Sequence, residues 1–335
     1  MCYEVIDVLN EFYKNNNIDP NCYTKNYNEV YEYKKFFDEQ IVFDEMKNRI
    51  QNWILRFDDD KEYFYELLKY YKYIPQEMFE IYIKEISNII FDDINQNREI
   101  LFITVPSENG TSSGGDDIRA ALLKMNMGWG ISKQQIICDI TKIDKEELTN
   151  KRAIIFVDDI LGTGFSLKRL INEFLELYRN NLSKDCLFGI SAVFATKNAI
   201  KFIKKNIKKK FNIDVKEYIK EENYLRSCMK GDYIFPAQDV KKIEECIYKY
   251  EEEIGIEEEK NFVMGFRECK LLISFFYNTP NNTLCSFWKY VKNKNLPIFP
   301  RDEYRRPTIQ NLEKSKQHSK ENAYRKGCVD EYEDV

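Results

Sequence analysis

Ile154-Ile155-Phe156-Val157-Asp158-Asp159-Ile160-Leu161-Gly162-Thr163-Gly164-Phe165-Ser166 is the stretch on which the fold of this chain turns. Its first four residues are apolar and mostly β-branched, as a strand covered on both faces requires. Two carboxylates follow at the strand's C-terminal end, and a Gly-Thr-Gly loop opens the next helix. Ligands of open α/β sheets bind at that end of the strands. Gly162 and Gly164 let backbone amides approach an anion with no Cβ in the way, and the helix dipole favours the negative charge. Thr163 and Ser166 add hydroxyl donors. The acid pair suits sugar hydroxyls, or a hydrated Mg²⁺ beside a phosphate. Phosphate plus sugar is the ligand this chemistry fits.

Three other readings compete. The strand and acid pair imitate a Walker B element, yet no G-x-x-x-x-G-K-[ST] precedes them: Gly110 to Gly115 has the glycine spacing and then Asp116. No G-x-G-x-x-G follows a strand, which weakens a dinucleotide site. The plainest alternative is a tight turn with an acidic helix cap and no ligand.

Working outward, Ile100 to Val105 is a short β-rich run ended by Pro106, followed by a Gly/Ser loop (Asn109 to Gly115) and an amphipathic segment from Asp117 to Met125. After residue 166, Leu167, Leu170, Ile171, Phe174, Leu175 and Tyr178 hold a helical spacing. Leu187 to Ala195 reads as a third strand and Asn198 to Lys210 as a third helix. Alternating strands and helices with continuously apolar strands predict an α/β fold with a central parallel sheet covered on both faces. Residues 1–95 read as an N-terminal helical domain: Phe79, Ile83, Ile86 and Ile90 fall on one helical face, and Asp58-Asp59-Asp60 and Pro75 mark helix starts. The many aromatics there (Tyr63, Phe64, Tyr65, Tyr70, Tyr71, Tyr73) read as core ahead of a base-stacking surface. Residues 96–212 form the α/β core, 213–301 a C-terminal α+β hood, and 302–335 a polar, flexible tail with seven basic and eight acidic residues.

Composition narrows the chemistry. Of 335 residues, 51 are Lys or Arg and 56 Asp or Glu, a formal charge of −5, which gives no case for a globally basic nucleic-acid binder. The longest uncharged run, Leu271 to Trp288, holds Asn, Thr and Pro and would be costly in a bilayer. Glu4 and Asp7 stand where a signal segment would be basic and then apolar, so a cytoplasmic location is expected. The single histidine, His318, rules out a Ser-His-Asp or multi-histidine metal site within one chain. Nine cysteines with no C-x-x-C pair read as reduced thiols; Cys285 is the one to watch. The lysines at 204, 205, 208, 209 and 210 alternate with Phe202, Ile203, Ile207 and Phe211, which makes first an amphipathic helix with a solvated face and second a nucleic-acid contact.

The segment 154–166 resembles the phosphoribosyl-diphosphate (PRPP) motif of type I phosphoribosyltransferases: apolar strand, two acids, then Thr-Gly-x-Ser. That resemblance covers about residues 99–195. It implies that Asp158 and Asp159 hold the ribose hydroxyls, with Mg²⁺ directly or through water. It also implies that Gly162, Thr163, Gly164, Phe165 and Ser166 wrap the 5′-phosphate, and that Ser112, Ser113, Gly114 and Gly115 receive the pyrophosphate. With Asp116 and Asp117 beside it, that pyrophosphate needs a cation between. Hypoxanthine-type members place an acidic base just before the Thr-Gly; here the position is Gly162, which argues against ordinary purine salvage.

A second resemblance covers nearly the whole chain. Trp53, Phe57, Tyr70 to Pro75, Gly265-Phe266, Asn278 to Leu284, Trp288 and Phe299-Pro300-Arg301 are similar to a phosphoribosyltransferase-like family of bacterial conflict and anti-phage systems, some of them retron-associated. That family has Pro where this chain has Cys285. A base pocket would then use Asn281, Asn282, Thr283 and Trp288, the alternative being that this block completes the core. Arg301 is an anion site or, more simply, a surface ion pair.

The resemblance implies a defence effector that transfers or cleaves the glycosyl bond at ribose C1. Two other classes stay open: a non-catalytic sensor of the same ligand, and an interaction module of a ribonucleoprotein complex, with reverse transcriptase and non-coding RNA as partners if retron-associated.

Overall fold

Strands that are apolar at every position can be buried only between two helical layers, and the computed structural model places them there. It describes residues 4–19, 41–94, 99–106, 114–126, 133–256 and 262–301. In chain order the helices are α1 (Val5–Asn15), α2 (Phe43–Ile54), α3 (Lys61–Lys69), α4 (Gln76–Ile94), α5 (Gly114–Asn126), α6 (Lys145–Leu148), α7 (Phe165–Tyr178), α8 (Lys197–Phe211) and α9 (Val240–Gly255). The strands are β1 (Lys72–Ile74), β2 (Ile100–Thr104), β3 (Ile136–Ile137), β4 (Ala153–Leu161), β5 (Leu187–Thr196), β6 (Val215–Tyr218), β7 (Tyr224–Leu225) and β8 (Ile273–Phe275).

The main sheet has the order β3-β2-β4-β5-β6, with β7 also on β5, and every pairing is parallel. Period-two alternation splits β4 between two cores. Ala153, Ile155 and Val157 face a layer built from α4 (Phe79, Ile83, Ile86, Ile90) and α5 (Ile118, Leu122). Ile154 and Phe156 face α7 (Leu167, Leu170, Ile171, Phe174) and α8 (Ala199, Ile200, Ile203, Ile207). Each Ile, Leu, Val or Phe among them taken fully from water contributes roughly 1.5–3 kcal/mol. The lysines of α8 lie on its outer side, where Lys197, Lys204, Lys208 and Lys210 pair with Glu221, Glu217, Asp214 and Glu176.

The outer sections depart from a helical domain and a separate hood. The face of α4 read from its periodicity covers the sheet, so this helix belongs to the α/β layers. The helices before it share a third core with the C-terminal block. Val8, Phe12, Ile50, Trp53, Phe57, Phe64 and Tyr71 pack there with Ile247, Tyr250, Phe287 and Phe299. The Trp53 indole N–H donates to Ser286 O at 2.9 Å, and β1 pairs in parallel with β8, Tyr73 opposite Ser274. Among the aromatics from 63 to 73, Phe64, Tyr65, Tyr71 and Tyr73 are buried, the core reading. Asp58-Asp59-Asp60 does precede α3, but no side chain caps that helix; Asp60 instead accepts the Tyr250 hydroxyl at 3.0 Å.

One carboxyl ties this third core together. Glu251, fully buried on α9, accepts the backbone N–H of Cys285 (2.8 Å), Ser286 (2.8 Å) and Met264 (3.3 Å) and the Cys285 thiol (2.9 Å). Burial and Glu251 push the Cys285 thiol well above its ordinary range, so this cysteine is a structural group and a poor nucleophile. Cys138, Cys186, Cys228, Cys246, Cys269 and Cys285 are all free thiols. Glu251→Ala leaves three buried N–H groups without acceptors and is expected to cost about 3–5 kcal/mol in denaturant unfolding. Glu251→Gln keeps an acceptor oxygen and should lose less.

Candidate functional site

β4 is longer than its apolar run, because Ile160 and Leu161 continue the pairing with Phe194 and Ala195 of β5. Its neighbour β2 ends at Thr104, opposite Val157. Asp158 and Asp159 therefore lie on a strand whose partner on that side has stopped, at the carboxyl end of the sheet where ligands of open α/β sheets bind. Both are half-buried. Asp158 Oδ1 accepts the Asp159 N–H at 3.0 Å, and Asp159 Oδ1 accepts the Ile160 N–H at 2.7 Å. Burial, and then the charge of Asp159, raise the Asp158 carboxyl well above the usual carboxylate range.

The glycine loop is held from two sides. Thr196, at the end of β5, donates its hydroxyl to Gly162 O at 2.8 Å and accepts the Ala199 N–H at 3.0 Å, so one side chain caps α8 and fixes the loop. A Cβ on Gly162 would stand 2.4 Å from the Asn282 carboxamide carbon, a contact no side chain can make. Gly164 is left-handed (φ 75°) and precedes α7, whose start has no side-chain cap and no acidic residue in its first turn. Beyond the long Phe165 N–H contact to Thr163, the amides there meet no side-chain cap and face the place of an anion. Thr163 Oγ1 lies 3.5 Å from the Phe165 nitrogen, and Ser166 is exposed. Phe165 packs on Phe202, ring centroids 4.6 Å apart, and carries the Arg267 guanidinium 3.7 Å from its ring centre.

The residues expected to form a base pocket divide. Asn282 reaches the loop: its carboxamide packs on Gly162 and donates to Cys269 Sγ at 3.3 Å. Asn281 takes the Phe266 N–H on its backbone carbonyl at 2.7 Å. Thr283 is buried, its hydroxyl on Ile273 O at 2.7 Å. Trp288 is fully buried, its indole N–H on Thr283 O at 2.9 Å and its ring edge-on to Phe262; it has no exposed face to offer a base. Arg301 lies over the Trp288 ring at 5.3 Å. Of the expected pyrophosphate loop, Gly114 and Gly115 open α5, while Ser112 and Ser113 lie outside the described residues.

Two neighbours escaped the sequence. Tyr277, just past β8, donates its hydroxyl to Asp159 Oδ2 at 2.5 Å, and burial together with Asp159 raises that phenol well above its ordinary value. Arg267 belongs to a stretch in which Met264, Arg267, Glu268 and Lys270 all have left-handed φ between 53° and 59°. Such backbone costs of order 1 kcal/mol or more at each non-glycine position and gathers at functional sites. No local pattern announces either residue. Thr196, by contrast, carries a helix-cap signal that was open to reading.

Neither acid of the pair forms an ion pair among the described residues. Two hard oxygen donors one residue apart, short of a cation, fit a Mg²⁺ completed by ligand oxygens and water. No group of three or more metal-ligating side chains occurs among the described residues, and no described helix is long and apolar enough to cross a membrane. A protein-family model described as PRTase-CE matches residues 50–301, from within α2 to the end of the described chain. No curated protein and no solved structure matches.

Two outcomes are expected of this geometry. Gly162→Ala should weaken both stability and ligand binding, and adding Asn282→Gly should restore much of the stability by making room for the methyl group. Folding raises the proton affinity of Asp158, so its contribution to stability is full below about pH 4 and is lost as pH rises. Without divalent cations, Asp158→Asn should therefore unfold at a higher denaturant midpoint than the unaltered chain at pH 7, and the difference should vanish toward pH 4.

Proposed function

Because the chain belongs to the PRTase-CE family, the phosphoribosyltransferases of conflict systems, we propose that it binds PRPP or a phosphoribosyl nucleotide with Mg²⁺ and acts at ribose C1 as an effector of bacterial anti-phage defence. The observation that carries this reading is the acid pair and the glycine loop at the end of a single strand, the pair with no basic side chain on it among the described residues and the helix start after the loop with no side-chain cap at Gly164. The amides of residues 162–166 would take the 5′-phosphate, with Arg267 adding a positive charge beside Phe165. Asp158 and Asp159 would accept the ribose hydroxyls and hold the cation. Gly114 and Gly115, with Ser112 and Ser113 before them, would meet the pyrophosphate. Bound Mg²⁺ supplies charge neutralisation of the departing pyrophosphate. The chain's own part is to position the sugar and to present fixed dipoles where charge develops, which needs no histidine.

One observation favours a second reading, a sensor that binds without turnover. The side chain packed on Gly162 is the carboxamide of Asn282, a group that does not take up a proton near neutral pH. No acidic base stands at that position to accept one from an incoming purine. Association with a protein or ribonucleoprotein partner is compatible with either reading.

Calorimetry with PRPP and Mg²⁺, followed by mass spectrometry of the recovered ligand, tests the proposal. Saturable, Mg²⁺-dependent binding is expected, weakened by about tenfold or more in Asp158→Asn. Cleaved or transferred ribose phosphate identifies an enzyme, and unaltered ligand identifies a sensor. Absence of binding to PRPP and to every phosphoribosyl nucleotide tried overturns the reading.

A further inference from the structure

We propose that Tyr277 is a positioning residue that sets the Asp159 carboxylate for the ribose diol, an inference that rests on the ribose-binding role given above to the acid pair. Tyr277 packs in the core of Ile155, Val157 and Ile160, beside β8, and meets Asp159 from there. The phenol holds Oδ2 at 2.5 Å while the Ile160 N–H holds Oδ1 at 2.7 Å. A carboxylate gripped at both oxygens cannot turn about its last torsion, and each oxygen keeps a lone pair for a ligand hydroxyl. Asp158 differs: its Oδ1 takes the Asp159 N–H and its carboxyl hydrogen-bonds that of Asp159. The pair is thus divided: Asp159 is an acceptor edge pre-set from outside the pair, and Asp158 is the member oriented from within it.

Tyr277 is itself well anchored. Its ring stacks on Phe275 with centroids 5.5 Å apart and 13° between planes, and stands edge-on to Phe79 and Phe276. The Phe276 N–H donates to Ile74 O at 2.9 Å. Just before it, Ser274 shares a buried hydroxyl chain with Tyr71 (2.7 Å) and Thr279 (2.6 Å), and Thr279 also donates to Phe299 O at 2.9 Å. From outside the pair, Tyr277 is the one side chain among the described residues that donates to either acid. Tyr277 therefore carries a hydroxyl from the core under α4 and α5 to the acid pair.

The test is a double-mutant cycle on ligand affinity, read by calorimetry with PRPP and Mg²⁺ and with inorganic pyrophosphate and Mg²⁺ as the probe lacking ribose. Tyr277→Phe keeps the ring contacts, so its unfolding midpoint should stay close to that of the unaltered chain. Its PRPP affinity should fall by about tenfold, the scale of one hydrogen bond to a charged group, with pyrophosphate affinity unchanged. Combined with Asp159→Asn, the tyrosine change should cost nothing further, because its effect runs through that carboxylate. Equal PRPP affinity in Tyr277→Phe, losses that simply add, or an equal loss for pyrophosphate would each overturn the positioning role while leaving PRPP binding intact. An unaltered chain that binds no phosphoribosyl ligand overturns the positioning role and the proposed function together.

Discussion

A strand in the middle of a parallel sheet has to be apolar wherever helices cover it, and it can turn polar only where one of its neighbours stops. β4 meets that constraint at one place. Opposite Val157 the strand β2 reaches its end, while β5 continues beside Ile160 and Leu161. The two carboxylates occupy that step, backed by β5 on one side and past the end of β2 on the other. The placement of the glycine loop, the start of α7 and the cap on α8 all follow from the length of β5 beyond β2. Burying part of an acid pair costs stability, as the raised proton affinity of Asp158 shows. Proteins accept such a cost where a ligand or cation later relieves it.

Around that step the molecule builds a site from three separate stretches of chain. β4 and its loop contribute acids and amides. β5 contributes Thr196, which makes the loop and α8 one rigid corner. The C-terminal block contributes Tyr277, Asn282 and Arg267, each on a different part of the crevice. The left-handed run from Met264 to Lys270 is held against residues 281–283 by backbone bonds such as Leu271 N to Asn282 O at 3.2 Å, so the strained segment and the turn that presses on Gly162 are one piece. Glu251 secures that piece to α9.

The α/β layers were legible because apolar runs and helical spacing are local signals, and the pattern from Ile100 to Lys210 has few other solutions. The position of the acid pair was legible for the same reason, though the strand was read as ending at Val157. Carboxylates usually mark a strand's end, and only the pairing partners Phe194 and Ala195 reveal that it continues. Periodicity finds the buried face of α4 but is silent on what covers it, so the sequence alone does not separate this sheet helix from the helices before it. From its position in the sequence Trp288 suits a base platform and a core equally; its burial follows from contacts with Phe262 and Thr283 that no spacing encodes. Tyr277 meets Asp159 across 118 residues, and a contact of that span leaves no trace in a local pattern.

That span also orders events in time. A ribosome making this chain has exposed the acids and the glycine loop long before it reaches the tyrosine that orients one of them. Contacts so distant in sequence form late and slowly, and β1 waits longer still, Lys72 pairing with Ile273 of β8. A growing polypeptide therefore carries an incomplete site until the stretch around Tyr277 has emerged and found Asp159.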